Sequence, residues 1–200
     1  MRPVPTQLAA KLYRAGELLA DQGLDNTKIE EIAEVTGVPK ATLYYYFAGK
    51  EEVLAFLFHD FLSLVAGDVA VAASAPGTGE ERLRSVIDAQ LRLMFEHPAV
   101  CRALIGDLGR AGRLPEIAAA INEAFYAPLD RLLAEGAADG SLRPMDDPVG
   151  AAATIFGAVT MAGLGIMVTS TTNDVDHIIE LVQQILLGGL TAPRRAAKKR

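Results

Sequence analysis

The chain has 200 residues, half of them apolar and 6% aromatic, with a formal net charge of −6 at pH 7. This length allows one large domain or a small domain joined to a medium one. Residues 1–50 carry six basic and six acidic side chains, residues 51–190 carry eight and nineteen, and residues 191–200 carry five and none. The acidic body excludes a protein that coats nucleic acid non-specifically, because such coating needs excess positive charge.

The first predicted helix covers residues 6–22, where leucines recur on one face. Thr27 is predicted to cap a second helix, with Glu30 three residues later completing a capping box. Ala33 is small enough for a crossing helix to approach closely. The chain is then expected to leave the helix at Gly37 with a positive φ, a conformation that is free of steric strain only for glycine. This spacing predicts a helix-turn-helix, the motif that inserts one helix into the DNA major groove.

The second helix of this motif is predicted over residues 39–47, with Pro39 at its first position. Leu43 and Phe47 lie four residues apart and are expected to dock it. Successive residues of a helix point about 100° apart, so the three tyrosines that precede Phe47 cannot all be buried. An outward tyrosine can donate its hydroxyl to phosphate. The polar neighbours that suit the same groove are Lys40, Thr42 and Lys50. The alternative is a tyrosine-rich amphipathic helix in an ordinary bundle.

The rest of the chain reads as further helices, with no strand-like alternation of useful length. A long helix over residues 50–73 is expected to join a small head to a larger body, and Pro128 predicts a kink near Tyr126. The other predicted helices cover residues 80–96, 99–108, a segment from Pro115 to Ala138, 147–170 and 173–189. We therefore expect an all-α fold of about nine helices. Its expected parts are a three-helix DNA-binding head (1–48), a helical-bundle body for ligand binding and dimerisation (49–190) and a disordered basic tail (191–200).

Residues 6–58, and above all TKIEEIAEVTGVPKATLYYYFAGKEEVL, resemble the tetracycline-repressor (TetR) family of transcriptional regulators. The resemblance implies phosphate contacts from Thr27, Lys28, Thr42, Tyr44, Tyr45 and Lys50. It implies base-edge contacts from Lys40, Ala41 and Tyr45, and a backbone contact from Tyr46. Many family members have an arginine that touches DNA where this chain has Glu30, and we expect Glu30 to cap its helix instead.

The resemblance also implies a homodimer, formed by the helices at 147–170 and 173–189, and an effector cavity inside the body. Residues 149–168 are twenty residues without a charge, which is long enough to span a bilayer. Because they are rich in Ala, Gly and Thr, a buried or dimer-interface helix is favoured over a membrane span. Polar groups on otherwise apolar helices suggest the cavity. Its candidate lining residues are Phe61, Met94, Phe95, Cys101, Asn122, Phe125, Tyr126, Arg131, Phe156, Thr160 and Met161.

Other chemistry finds little support in the sequence. The three histidines are far apart, so neither a metal site nor a cofactor is expected, and no catalytic serine motif is present. Cys101, the one cysteine, excludes an intramolecular disulfide and favours a reducing cytoplasm. Its neighbour Arg102 could make it a sensor thiol, but a small buried hydrophobe is the simpler interpretation.

Together these features predict a cytoplasmic homodimeric repressor that is not an enzyme. It is expected to bind palindromic double-stranded operator DNA and to be released by a small hydrophobic or amphipathic effector. Two alternatives from other classes remain at this point. One is an all-α carrier of lipophilic molecules with a vestigial DNA motif. The other is a small membrane protein, an interpretation supported only by residues 149–168.

Overall fold

The computed structural model describes residues 3–106, 119–169 and 174–190, which contain helices and no β-strand. The predicted all-α fold is confirmed. The helices are α1 (Thr6–Leu12), α2 (Ala15–Asn26), α3 (Ile29–Thr36), α4 (Lys40–Tyr46), α5 (Lys50–Ala73), α6 (Gly79–Glu96), α7 (Pro98–Gly106), a π-helical turn (Asn122–Tyr126), α8 (Ala127–Asp139), α9 (Pro148–Thr169) and α10 (Val175–Leu190). The predicted helix start at Pro115, the predicted start of the last helix at residue 173 and the basic tail lie outside the described residues.

The single helix predicted over residues 6–22 is wrong, because the chain breaks after Leu12 and resumes at Ala15. The Gly16 N–H donates to the Tyr13 carbonyl at 3.0 Å, a tight bond that closes the break. A Cβ on Gly16 would lie 3.1 Å from Val100 Cγ2, so the glycine lets α2 cross close to α7. The regular part of α2 ends before Gly23, as predicted, because the φ of 73° and ψ of 158° at Gly23 are not helical, and a short turn beyond it runs to Asn26.

Packing divides the chain into two compact units, residues 1–64 with 96–121 and residues 65–95 with 122–200. These units are defined by how tightly residues pack. The predicted boundary at residue 48 instead separates DNA binding from ligand binding and dimerisation, and it stays a prediction. The largest fully buried side chains of the first unit are Leu12, Leu19, Ile32, Leu43, Phe47 and Leu57. Those of the second are Leu83, Ile87, Leu91, Leu129, Leu132 and Leu142.

In the second unit the N-terminus of α6 is capped by the C-terminus of α8. The Gly79 N–H donates to Asp139 Oδ2 at 2.7 Å, and the Glu80 N–H donates to Ser141 Oγ at 3.0 Å. The approach is close enough that a Cβ on Gly79 would lie 2.2 Å from Gly136 Cα. Hydrogen bonds from Ser141 and from the Gly79 N–H hold the pKa of Asp139 below its usual value. The cap therefore keeps its negative charge at the positive end of α6.

Two of the described helices, α5 and α9, are long and apolar enough to cross a membrane when judged by length and composition alone. Half of the most apolar window of α5 is buried within the chain, but only 22% of that of α9. The predicted helix over residues 147–170 is thus present as α9, most of whose residues are partly exposed and only four of which are fully buried.

Candidate nucleic-acid interface and body interior

The corner between α3 and α4 has the geometry that the sequence predicts. Gly37 has a φ of 65° and ends α3, as expected for a residue that must leave a helix in the left-handed region. The Val38 N–H returns to the Ala33 carbonyl at 3.2 Å, and Val38 itself is buried. Thr36, also buried, donates its hydroxyl to the Ile32 carbonyl at 2.6 Å. The corner is fixed by short-range bonds and one apolar plug.

The N-terminus of α3 differs from the prediction by one residue. Lys28, not Thr27, is the N-cap, and its N–H donates to Glu31 Oε2 at 2.7 Å. Thr27 is 1% exposed, and its hydroxyl donates to the Gly23 carbonyl at 2.8 Å. Its burial against α2 delays the helix start, so the capping carboxylate is that of Glu31. The predicted capping box of Thr27 and Glu30 is therefore wrong.

Glu30, which has no capping role, forms an ion pair with Lys40 at the start of α4. The ammonium of Lys40 also lies 5.8 Å from the centre of the Tyr44 ring, within cation–π range. The hydrogen bond between the two side chains lowers the pKa of Glu30 and raises the pKa of Lys40. Both groups are therefore fully charged at neutral pH.

The α4 helix is docked as predicted and presents two tyrosines outward. Leu43 and Phe47 are 0% and 2% exposed, whereas Tyr44 and Tyr45 are 52% and 60% exposed. Tyr46 is half-buried, with its ring centre 4.9 Å from that of Tyr45. Pro39 is the N-cap rather than the first helical residue. The expectation that the three tyrosines cannot all be core is confirmed.

Lys50 has a role that its sequence position does not reveal. Its ammonium donates to the Asp25 carbonyl at 3.0 Å and to the Thr27 carbonyl at 2.9 Å, at the C-terminal end of α2. A cation there is favourable because helix C-termini carry partial negative charge. Among the remaining predicted DNA contacts, Lys28 and Ala41 are exposed and Thr42 is half-buried. All nine predicted contacts stay predictions.

In the same unit Tyr13 joins α5 and the start of α7. Its hydroxyl donates to Asp60 Oδ2 at 2.9 Å, and its ring centre lies 5.1 Å from that of His97. Burial, and then the bond to Asp60, raise the pKa of Tyr13 above its ordinary value.

Cys101 is 2% exposed, and burial raises the pKa of its thiol to about 12. This supports the small buried hydrophobe over the sensor thiol.

A groove of about 690 Å³ runs along α2 and the start of α7. Its lining mixes apolar side chains with more acidic than basic ones, and none of the predicted effector residues belongs to it. Its lining residues are Tyr13, Arg14, Glu17, Leu18, Asp21, Val35, Glu96, His97, Pro98, Ala99 and Val100.

An aromatic cluster in the second unit occupies the kink that Pro128 predicts. The five residues from Asn122 to Tyr126 form a π-helical turn, a feature frequent at functional sites. The ring centre of Phe156 on α9 lies 4.4 Å from that of Phe125 and 5.5 Å from that of Tyr126. The predicted disturbance near Tyr126 is present as this π-helical turn, and the helix continues through it without a break.

The other predicted effector residues differ in how exposed their side chains are. Phe61, Met94 and Cys101 are buried, Phe95 and Thr160 are half-buried, and Asn122, Arg131 and Met161 are exposed. Thr160 accepts a hydrogen bond from Gln90 Nε2 at 2.9 Å, and Gln90 is only 3% exposed. Sequence reasoning missed this buried amide, although a glutamine on the apolar face of α6 was a visible signal. The effector set stays a prediction.

The helices α9 and α10 each expose large apolar side chains. Met161 and Val168 on α9 are 58% and 67% exposed, and Leu181 and Ile185 on α10 are 43% and 67% exposed. The glycines of both helices at 157, 165 and 188 have open space where a Cβ would stand.

Within the described residues no group of three His, Cys, Asp or Glu side chains could hold a metal ion.

Known proteins share both the head and the whole architecture. Residues 12–56 match the family model of bacterial regulatory proteins of the tetR family. The fatty acid metabolism regulator protein of Bacillus subtilis is 25% identical over 88% of this chain and 91% of its own. The transcriptional repressor KstR2 of Mycolicibacterium smegmatis is 27% identical over 70% and 71%. FadR of Bacillus subtilis, solved in complex with stearoyl-CoA, superposes with a TM-score of 0.74 at 22% identity over 92% of this chain and 97% of its own.

These relatives are named as transcriptional regulators rather than enzymes, and the residues that match the family model include the helix-turn-helix around Gly37. The head of this chain, residues 12–56, is thus a helix-turn-helix domain of the tetR family of bacterial regulatory proteins.

Proposed function

We propose that this protein is a cytoplasmic homodimeric repressor that binds a palindromic operator and is released by an acyl-coenzyme A. The observation that carries the DNA-binding part is the geometry of α4. Leu43 and Phe47 hold the helix while Tyr44, Tyr45 and Lys40 point away from the core. In helix-turn-helix proteins the N-terminal residues of this helix contact base edges in the major groove.

The exposed apolar surface of α9 and α10 supports the homodimer. Large side chains such as Ile185 and Met161 are costly to leave in water in a monomer. The open glycines allow a second copy of these helices to approach closely. A two-fold dimer presents two α4 helices, which suits half-sites about one helical turn, or roughly 34–36 Å, apart.

The effector class follows from the body interior and from the relatives. Bacillus subtilis FadR is solved with stearoyl-CoA, and its fold extends over most of this chain. Here Phe125 and Tyr126 of the π-helical turn pack against Phe156 on α9, and this aromatic cluster suits contact with an acyl chain. Arg131 is exposed and is a candidate partner for the phosphates of coenzyme A. The effector favours a conformation in which the two heads no longer match the operator, so by linkage DNA weakens effector binding by the same factor.

The DNA-binding part is tested by selecting bound sites from random duplexes with the full chain at a stated salt concentration. Enrichment of a palindrome is expected, and Tyr45→Ala should weaken binding to it. Val71→Ala, which truncates an exposed side chain on α5, is the matched control and should bind normally. If no palindrome is enriched, the repressor proposal fails and the carrier alternative returns.

The effector part is tested by displacement of the selected operator. Stearoyl-CoA should release the protein, whereas free coenzyme A should not, because it lacks the acyl chain. Stearate separates a requirement for the thioester from a requirement for the chain alone. If none of the three changes DNA binding, the acyl-coenzyme A assignment is wrong.

The dimer is tested by size exclusion without detergent. Ile185→Glu places a charge on the exposed α10 face and should produce monomers. Val71→Glu makes the same kind of change on α5 and should leave the dimer intact. Elution of Ile185→Glu as a dimer would place the interface elsewhere.

A further inference from the structure

We propose that Glu30 is a specificity-determining residue, which holds Lys40 so that it reads an uncharged base edge rather than a phosphate. The proposal rests on the DNA-binding function proposed above, since it assigns a role to Lys40 in that complex.

The geometry pairs Glu30 with Lys40 across the corner between α3 and α4. Glu30 is in the first turn of α3, and its carboxylate pairs with the ammonium of Lys40, the first residue of α4. The Tyr44 ring lies on a second side of that ammonium. Capping of α3 is done by Glu31, and docking of α4 by Leu43, so the ion pair is not needed for the fold.

The pair is open to exchange with DNA. The side chains of Lys40 and Glu30 are 47% and 56% exposed, and ion pairs this accessible to water are weak and screened by salt. An exposed pair on the surface that faces DNA must either break or take part in the contact.

Phosphates and base edges make different demands on this pair. A phosphate that approaches Lys40 also approaches the Glu30 carboxylate, and the two negative charges repel each other. A guanine edge offers the uncharged acceptors O6 and N7, which lysine contacts in the major groove. An ammonium has three donors, so Lys40 can keep one on Glu30 and direct the others to the base. Glu30 therefore weakens binding to DNA of any sequence more than binding to the operator.

The test compares Glu30→Gln with the wild-type full chain on the selected operator and on a random duplex of equal length. The variant should bind the random duplex about tenfold more tightly and gain less on the operator, so its specificity ratio falls. Freeing one cation in each half-site should steepen the dependence of log K on log salt by about 1.8 per dimer, at roughly 0.9 per phosphate contact.

Glu34→Gln is the matched control. It removes the same charge one turn further along α3, from an exposed carboxylate with no ion pair to a described residue. If the two variants behave alike, Glu30 acts only as general negative charge and the proposal is overturned.

A second control removes the partner. In the Lys40→Gln background, Glu30→Gln should leave the specificity ratio unchanged, because no lysine remains to be released. A fall in the ratio as large as in the wild-type background would also overturn the proposal. Both side chains are half-exposed, and thermal melting is expected to show normal folding.

The two proposals fail in different ways. If the wild type enriches no palindrome, the DNA-binding function fails and this inference fails with it. If the wild type binds a palindrome and Glu30→Gln preserves the specificity ratio, only the role of Glu30 is wrong.

Discussion

Replacement of Lys50 by methionine separates the structural role of this residue from its expected contact with DNA. The ammonium makes two hydrogen bonds to the carbonyls of Asp25 and Thr27, which lie at the end of α2 and just before α3. Each such bond contributes about 0.5–1.5 kcal/mol, so Lys50→Met should lower the free energy of unfolding by about 1–3 kcal/mol. Methionine keeps most of the apolar stem, which limits the loss to the polar contacts.

The assay is denaturant unfolding, with Lys11→Met as the control. Lys11 is an exposed lysine on α1, and no hydrogen bond or ion pair joins its ammonium to another described residue. Its replacement removes the same charge and should change stability by less than about 0.5 kcal/mol. Equal stability of the two variants would show that the two backbone bonds contribute nothing and would refute the reasoning.

The same variant tests the phosphate contact. Two donors of Lys50 are occupied by carbonyls, which leaves the third for a phosphate. Loss of that contact in both half-sites should reduce the salt slope by about 1.8 per dimer. A weaker operator complex with an unchanged slope would mean that Lys50 acts only by holding the α2–α3 corner.

Three further outcomes follow from packing and ionisation. In denaturant unfolding, Gly79→Ala should destabilise the fold by about 2 kcal/mol or more, because the new Cβ would lie 2.2 Å from the backbone of Gly136. The control Gly67→Ala adds a Cβ that meets nothing within 4 Å, and it should stabilise α5 by up to about 1 kcal/mol. Because the pKa of Tyr13 is raised in the fold, its contribution to stability is complete below the ordinary value of 10.0 and is lost as the pH rises above it. Tyr13→Phe should remove this part of the alkaline decline in melting temperature. Cys101 should react with a thiol reagent only on unfolding, since it is 2% exposed with a pKa of about 12, and fast labelling of the native protein would contradict this.

The corner of the head was predictable because its determinants are local. A glycine with positive φ, a plug one residue later and apolar residues at helical spacing specify Gly37, Val38 and Leu43 without reference to distant residues. The same holds for the kink before Pro128, whose missing N–H disturbs the helix in which it lies.

The capping error shows where local reasoning stops. Thr27 is a good capping residue by type, but its burial and its bond to the Gly23 carbonyl commit it to α2. The helix start then moves by one residue, and the capping role passes from Glu30 to Glu31. A tertiary contact thus decided which of two adjacent carboxylates was left to meet Lys40.

Hydrogen bonds between side chains that are far apart in the sequence could not be predicted from residue spacing. Gln90 and Thr160 are 70 residues apart, and Tyr13 and Asp60 are 47 apart. Each member is unremarkable on its own helix, and only the packing of the helices brings the two together. The sequence therefore predicts which helices exist better than which side chains meet between them.

The charge on the head favours a repressor that depends on pairing two weak half-sites. Residues 1–50 have no net charge, Lys40 is held by Glu30, and Lys50 is bonded to carbonyls. With no excess of positive charge, with Lys40 paired and with only one donor of Lys50 left for a phosphate, a single head should bind DNA weakly and read it mainly through shape and base edges. Joining two such heads in a dimer gains about 10²–10⁴ in affinity only while both can engage at once. An effector that spoils their spacing should therefore weaken binding to the palindrome far more than binding to an isolated half-site, and equal weakening of both would indicate that it acts within one head.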